Sequence, residues 1–207
     1  MLMSLETMNG HQVKPSCILH IGAHEAEEKE IYKQMGCDKV LWVESMQNKY
    51  EIIRNAIKNE PNMSAITATV WSKDNQVMSF YETNNGQSSS VFELQGHREK
   101  YPSIVISKEY KTVTSKIDTI LLVTMKNKYV PDMICIDIQG AELEAFKGAT
   151  NTLKNVKWIY TEISYEPLYK GAALEPELTE FLNKKGFVKL EEVDSGMGWG
   201  DALYAKN

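Results

Sequence analysis

Three short stretches of the sequence place imidazole, acid and glycine where chemistry is done. The first is HIGAHE, where an apolar run gives way to charged residues at Gly22-Ala23. A strand-to-helix turn opening on glycine lets backbone approach a ligand, and the helix N-terminus behind it offers N–H groups and positive potential. Such a turn suits a nucleotide or a carboxylate. It lacks two of the three glycines of GxGxxG, so it is not the dinucleotide fingerprint. The second stretch, KVLWVE, ends in Glu44. An acidic side chain there, about twenty residues downstream, accepts hydrogen bonds from ribose hydroxyls in nucleotide-binding βαβ units. The third, PDMICIDI, is the most apolar run of the chain. It ends on Asp137 and is followed by Gln139-Gly140-Ala141-Glu142. A carboxylate at the carboxyl end of a central parallel strand lies at the ligand crevice; the alternative is that Asp137 caps the helix beginning near Ala141. Glu162 ends VKWIYTEI in the same way, so the two acids can share one rim.

These residues need a sheet to position them, and the chain alternates short apolar runs with helix-period segments. CILHIG, KVLWVE and SAITATVW are strands. HEAEEKEIYKQMG and QNKYEIIRNAIKN, the latter with Tyr50, Ile53 and Ile57 at helical spacing, are helices between them. That βαβαβ series implies right-handed crossovers and a parallel sheet. QVMSFYET, NNGQSSS and HREKYPS predict a strand pair and a long surface loop. PDMICIDI, GAELEAFKGATNTLK, VKWIYTEI and PELTEFLNKKG resume the alternation, and FVKLEEV with DALYAKN, joined through DSGMGWG, predict an antiparallel edge hairpin. No linker or repeat interrupts the series. One domain is expected over 1–207, with 1–14 as an N-terminal extension.

Composition narrows the classes. With 43% hydrophobic and 25% charged residues the chain reads as globular rather than disordered. A formal net charge of −5 is the wrong sign for a dedicated duplex nucleic-acid binder. No apolar run reaches the ~20 residues of a membrane span, and MLMSLETMNG does not read as a signal peptide. A cytoplasmic protein is expected, with no nucleic-acid or membrane partner. Cys17, Cys37 and Cys135 are odd in number and widely spaced, as expected of buried thiols.

HIGAHEAEE, VLWVES, NNGQSSSVFEL, IDIQGAELEAFKGA, YTEIS and WGDALY occur in an order that resembles the FkbM family of S-adenosylmethionine-dependent methyltransferases, from roughly Ile18 to Tyr204. DIQGAELEAFKGA is the most specific of these. The sequence departs from the family pattern at His20, where many members carry Asp, and at the glycine that often follows the turn, here Ala26 or Glu27.

The resemblance implies a Rossmann-like α/β fold with seven strands, the last antiparallel, and S-adenosylmethionine as cofactor. It implies that Gly22, Ala23 and His24 line the methionine part, that Glu44 holds the ribose, and that Ser45 or Met46 flanks the adenine. Trp71 and Ser72 are further adenine-side candidates, although a Trp after a strand is more often core. Methyl transfer from a sulfonium asks the protein mainly for alignment, plus a base when the acceptor is a hydroxyl. Asp137 is the first choice for base, with His24 next. Asp137 is also a candidate for the cofactor's ammonium group, and Glu162 is its paired carboxylate. The pair permits a divalent cation, but nothing in the spacing demands one. Gln87, Ser88, Ser89, Ser90, His97 and Asp201 are candidates for reading a hydroxyl-rich acceptor, a small molecule or glycan. The expected activity is O-methylation of a sugar or glycan. The competing readings are a non-catalytic cofactor- or glycan-binding module of the same fold and a nicotinamide-dependent oxidoreductase.

Overall fold

In the computed structural model, which describes residues 2–126 and 128–207, the site is held by a seven-stranded sheet. Its strands, β1 (Ile18–Ile21), β2 (Val40–Glu44), β3 (Ser64–Thr67), β7 (Met133–Ile136), β8 (Trp158–Ser164), β9 (Phe187–Asp194) and β10 (Trp199–Lys206), are ordered β3-β2-β1-β7-β8-β10-β9. β1 lies parallel between β2 and β7, with Ile18 opposite both Val40 and Met133. β10 runs antiparallel to β8 and β9. The expected Rossmann-like sheet and its antiparallel C-terminal strand are therefore present. β1, β2 and β7 are buried at every position, which is why their sequences are continuous apolar runs rather than alternating ones.

Helices α2 (Lys29–Gln34), α3 (Gln47–Ala56), α6 (Glu142–Lys147) and α7 (Glu175–Lys184) link these strands. α3 turns Ile53 inward, with Ile57 buried just beyond it, and α7 turns Leu178 and Leu182 inward. The sheet's two faces carry two separate apolar clusters: one contains Leu19, Leu41, Ile134 and Phe146, the other Ile18, Trp42, Met133 and Tyr160. All three cysteines are buried free thiols.

Six segments depart from the sequence reading or add to it. The helix after β1 begins only at Lys29, because His24 and Ala26 take left-handed φ values of 43° and 61° and prolong the turn. SAITATVW feeds two sheets: β3 extends the main one, while β4 (Thr69–Val70) pairs with β6 (Ile106–Ser115), which also pairs with β5 (Val77–Thr83). GAELEAFKGATNTLK stops as an α-helix at Lys147, where a Cβ on Gly148 would come 2.4 Å from the Trp71 carbonyl oxygen. The N-terminal stretch carries α1 (Leu5–Gly10), capped by the Ser4 hydroxyl, and buries Met3, Met8 and Val13. Of HREKYPS, the first four residues form α4 (His97–Lys100), with His97 inside. A short helix α5 (Ile117–Thr119) continuing into a π-helical turn, Ile120–Thr124, follows β6. No helix of the described residues is long and apolar enough to cross a membrane.

Candidate active site

The carboxyl ends of β1, β2 and β7 meet at Gly22. With φ at 80°, it sits so close to β7 that a Cβ would lie 1.8 Å from the Asp137 carbonyl oxygen, so only glycine lets these strand ends converge. Two adjoining cavities open on this rim, and Gly22, His24, Gln87, Asp137 and Gln139 line both.

The smaller cavity, about 50 Å³, has an apolar slot made by Ile21, Val43, Met46, Val70 and Phe80, with Glu44 and Ser45 at its edge. Glu44 is buried, and its two oxygens accept the backbone N–H groups of His24 and Met46, each at 2.8 Å. Burial raises its pKa against the pull of those N–H groups. A carboxylate so fixed keeps free lone pairs that can accept hydroxyl hydrogen bonds, and the slot beside it offers an apolar surface. Ser45 spends its hydroxyl on the Ala68 carbonyl at 3.1 Å.

The larger cavity, about 510 Å³, combines aromatic rings with acids: Tyr101, Tyr160, Tyr169 and Trp199 beside Glu27, Asp137, Glu162 and Asp201. Asp137, Glu142 and Glu162 bring carboxylate oxygens within 4.8 Å of one another, Asp137 exposed to the cleft and the other two buried. Burial first, then the neighbouring Asp137, pushes Glu162 well above the usual carboxylate range; burial likewise carries Glu142 to about 7. Burial and the crowding of acids therefore both favour the protonated form within the cluster.

Gln139, which the sequence analysis names only as following Asp137, sits between two of these acids. Its Nε2 donates to Asp137 Oδ1 at 2.6 Å and to Glu162 Oε2 at 2.5 Å, and its Oε1 accepts from the Tyr169 hydroxyl. Glu142 Oε1 accepts from Ile138 N at 2.8 Å and Gly140 N at 3.2 Å. All-oxygen donors would suit a hard divalent cation. Here, however, an amide fills the space between Asp137 and Glu162, and backbone N–H groups occupy Glu142, so the set is organised as hydrogen-bond acceptors and no metal step follows from it.

The structure brings Gly22, Ala23, His24, Glu44, Ser45, Met46, Asp137 and Glu162 to the rim or walls of the cleft. His24 Nδ1 lies 2.6 Å from Glu27 Oε1, and its buried Nε2 has no partner.

Trp71 and Ser72 lie outside the cavity walls. Trp71 packs edge-on against Phe92, with ring centroids 5.7 Å apart, and the Ser72 hydroxyl donates to Glu144 at 2.5 Å. The cofactor candidates Trp71 and Ser72 thus stand apart from both cavities, one in an aromatic contact and the other bound to a carboxylate of α6.

The loop serines also have internal duties. The Ser89 hydroxyl accepts from Thr83 N at 3.0 Å, Ser90 donates to the Gln139 carbonyl at 2.8 Å, and Ser88 lies 3.2 Å from His97 Nε2. They fasten the loop, leaving exposed Gln87 as its outward polar group. His97 packs between Tyr101 and Tyr169 with its pKa lowered by burial. Asp201 lines the cleft but accepts from the Tyr160 hydroxyl and from Leu2 N. Tyr169, Tyr101 and Trp199 were not singled out from sequence, because an aromatic in a loop or at a strand's first residue carries no local signal of what it faces.

Residues 17–189 match the model of the Methyltransferase FkbM domain. A 40-residue stretch is 45% identical to the 2-O-methyltransferase NoeI of Sinorhizobium fredii (strain NBRC 101917 / NGR234), covering 19% of this chain and 16% of that protein. Among solved structures, a SAM dependent methyltransferase from Aquifex aeolicus superposes over 98% of this chain and 89% of its own, with TM-score 0.53 and 12% identity. Magnesium protoporphyrin IX methyltransferase from Synechocystis PCC 6803, solved with bound SAM, covers 98% and 76%, with TM-score 0.53 and 8% identity. At these identities the two structures establish a shared fold.

Proposed function

Because the chain belongs to the Methyltransferase FkbM domain family and is a methyltransferase, we propose that it uses S-adenosylmethionine to methylate a hydroxyl oxygen of a sugar or glycan. The observation that carries this reading is the exposed Asp137 carboxylate on the wall common to an apolar slot beside Glu44 and an acid-and-aromatic cleft. S-adenosylmethionine would supply a methyl group already activated on a sulfonium. Glu44 binds the ribose diol, and the Gly22–His24 backbone meets the methionine part. Aromatic walls such as Tyr101 and Trp199 suit the C–H faces of a sugar ring, and carboxylates accept from its hydroxyls. The bound cofactor would give up that methyl to the acceptor oxygen and leave as S-adenosylhomocysteine, and Asp137 is placed to take the hydroxyl proton. The 2-O-methyltransferase likeness supports oxygen as the methylated atom. Family membership displaces the nicotinamide reading, whose triple-glycine turn is missing.

Calorimetry with S-adenosylmethionine, followed by S-adenosylhomocysteine release over a panel of methyl glycosides of common hexoses and deoxyhexoses, tests the proposal. Cofactor binding with turnover on at least one glycoside is expected. No binding at millimolar cofactor overturns it, and binding without release from any hydroxyl acceptor leaves the non-catalytic module as the better reading.

A further inference from the structure

We propose that Gln139 is the positioning residue of the acceptor side: its amide clamps Asp137 against Glu162 and so fixes the Asp137 carboxylate toward the acceptor hydroxyl. The inference rests on the assignment of Asp137 as proton acceptor.

The backbone at Gln139 is the first observation. Its φ of 58° is left-handed, a conformation a side-chain-bearing residue adopts at a cost and keeps only when its surroundings hold it there. Ser90 holds its carbonyl, Tyr169 holds its side-chain oxygen, and Glu142 ties down the flanking Ile138 and Gly140. Three elements, the 84–90 loop, the segment after β8 and α6, thus converge to aim one amide. A turn needed only to join β7 to α6 would not require its side chain to be held at both ends.

The second observation is what the amide does. A primary amide has two N–H donors and no charge, and here both go to carboxylate oxygens. Hydrogen bonds to ionised acceptors are the stronger ones and favour the charged form. The clamp therefore lets two acids approach closely while keeping negative charge on the pair, and it turns Asp137 through one named oxygen. The other groups facing the pair are Glu142 from α6, Asp201 from β10, the Tyr169 hydroxyl and, on β1, His20, which is itself held by the Tyr32 hydroxyl at 2.7 Å. The acids among them oppose further ionisation, which is what makes a neutral double donor useful at this point.

The test uses Gln139→Leu, which keeps bulk and removes the donors, and Gln139→Asn, which keeps an amide and tolerates a left-handed backbone but is one methylene too short to span both acids. Carbon-13 NMR of labelled Asp and Glu carboxyls, recorded without cofactor, follows proton release from the Asp137–Glu142–Glu162 cluster as a unit. In both variants the last proton of the cluster should be retained to a pH about one unit higher, because loss of charge-assisted hydrogen bonds favours the protonated form. Affinity for S-adenosylhomocysteine should stay within about threefold. On a methyl glycoside that supports turnover, kcat should fall about 10- to 100-fold with KM for the cofactor little changed. A cluster titration that is unchanged in folded Gln139→Asn overturns the proposal. Absence of S-adenosylhomocysteine binding by the unmodified protein would instead count against the methyltransferase reading and leave the NMR result standing.

Discussion

Glu44 and Glu162 lie near the carboxyl ends of two strands of one sheet and are buried to the same degree, 5% and 6% exposed, yet they are built for opposite tasks. Glu44 gives each oxygen to a backbone N–H, from His24 and Met46, and has no other acid among the groups acting on it. Glu162 receives one side-chain amide and faces Asp137, Glu142 and Asp201. Desolvation is common to both; the partners differ. Backbone donors fix a charge in place, which in the proposed function serves a ligand's hydroxyls, whereas neighbouring acids favour a held proton, which in the proposed function serves proton transfer.

The sharpest way to break this contrast is Asp137→Asn. The change keeps shape but removes the charge that draws the hydroxyl proton, so turnover should fall by about 10²–10⁴ while S-adenosylhomocysteine affinity changes little. Parallel loss of binding and turnover would assign Asp137 to the cofactor's ammonium group. Full turnover would remove Asp137 from the proton-transfer step and leave it only the Gln139 contact.

On the other side, Glu44→Ala should act on binding. Losing a charged acceptor for the ribose costs roughly 1.5–3 kcal/mol, about 10- to 150-fold in affinity by calorimetry. The two backbone N–H groups are released as well, so the melting temperature should drop. Unchanged affinity would mean that Glu44 only holds the turn.

The proton-holding side also has a pH signature. Glu142 titrates near 7 in the folded protein against 4.5 for an unperturbed side chain. A raised folded value means that the stability it contributes is fully present below about 4.5 and is lost as pH rises through about 7. Glu142→Gln keeps the side-chain oxygen that accepts from Ile138 and Gly140 and removes the titration. Melting curves from pH 4 to 8 should therefore lose slope in the variant, with the gap reaching at most about 3 kcal/mol at the alkaline end. Equal slopes in both proteins would place the cluster's proton elsewhere.

How much of this was legible in the sequence follows the same division. The holder side was readable because strand ends, a glycine turn and an acid at a set spacing are local features. Gly22, Glu44 and the parallel order of β1, β2 and β7 came from runs of a few residues. The acceptor side was readable only at its strand ends, Asp137 and Glu162. Gln139, Tyr169 and the internal use of Ser88, Ser89 and Ser90 depend on a loop, a turn and a post-strand segment meeting in space, and no periodicity encodes that meeting. Trp71 shows the same limit: its place at a strand end leaves rim and core both open, and the Phe92 ring it packs against comes from the loop after β5.

The smallest expected effect bounds the holder side. The Ser72 hydroxyl donates to Glu144, which is also paired with Lys147 at 2.5 Å, so Ser72→Ala removes one half-exposed hydrogen bond and leaves the acid with a partner. Stability should fall by no more than about 1 kcal/mol. Affinity for S-adenosylhomocysteine should stay within about twofold, since neither Ser72 nor Trp71 lines the apolar slot beside Glu44. Calorimetry and a melting curve on the same preparation separate the two quantities. If affinity instead drops tenfold while the melting temperature holds, the adenine must reach past Val70 to Ser72. The slot that Glu44 guards would then be longer than the cavity between Ile21 and Phe80, and the contrast between a short fixed holder and a wide proton-handling cleft would have to be redrawn around the end of β4.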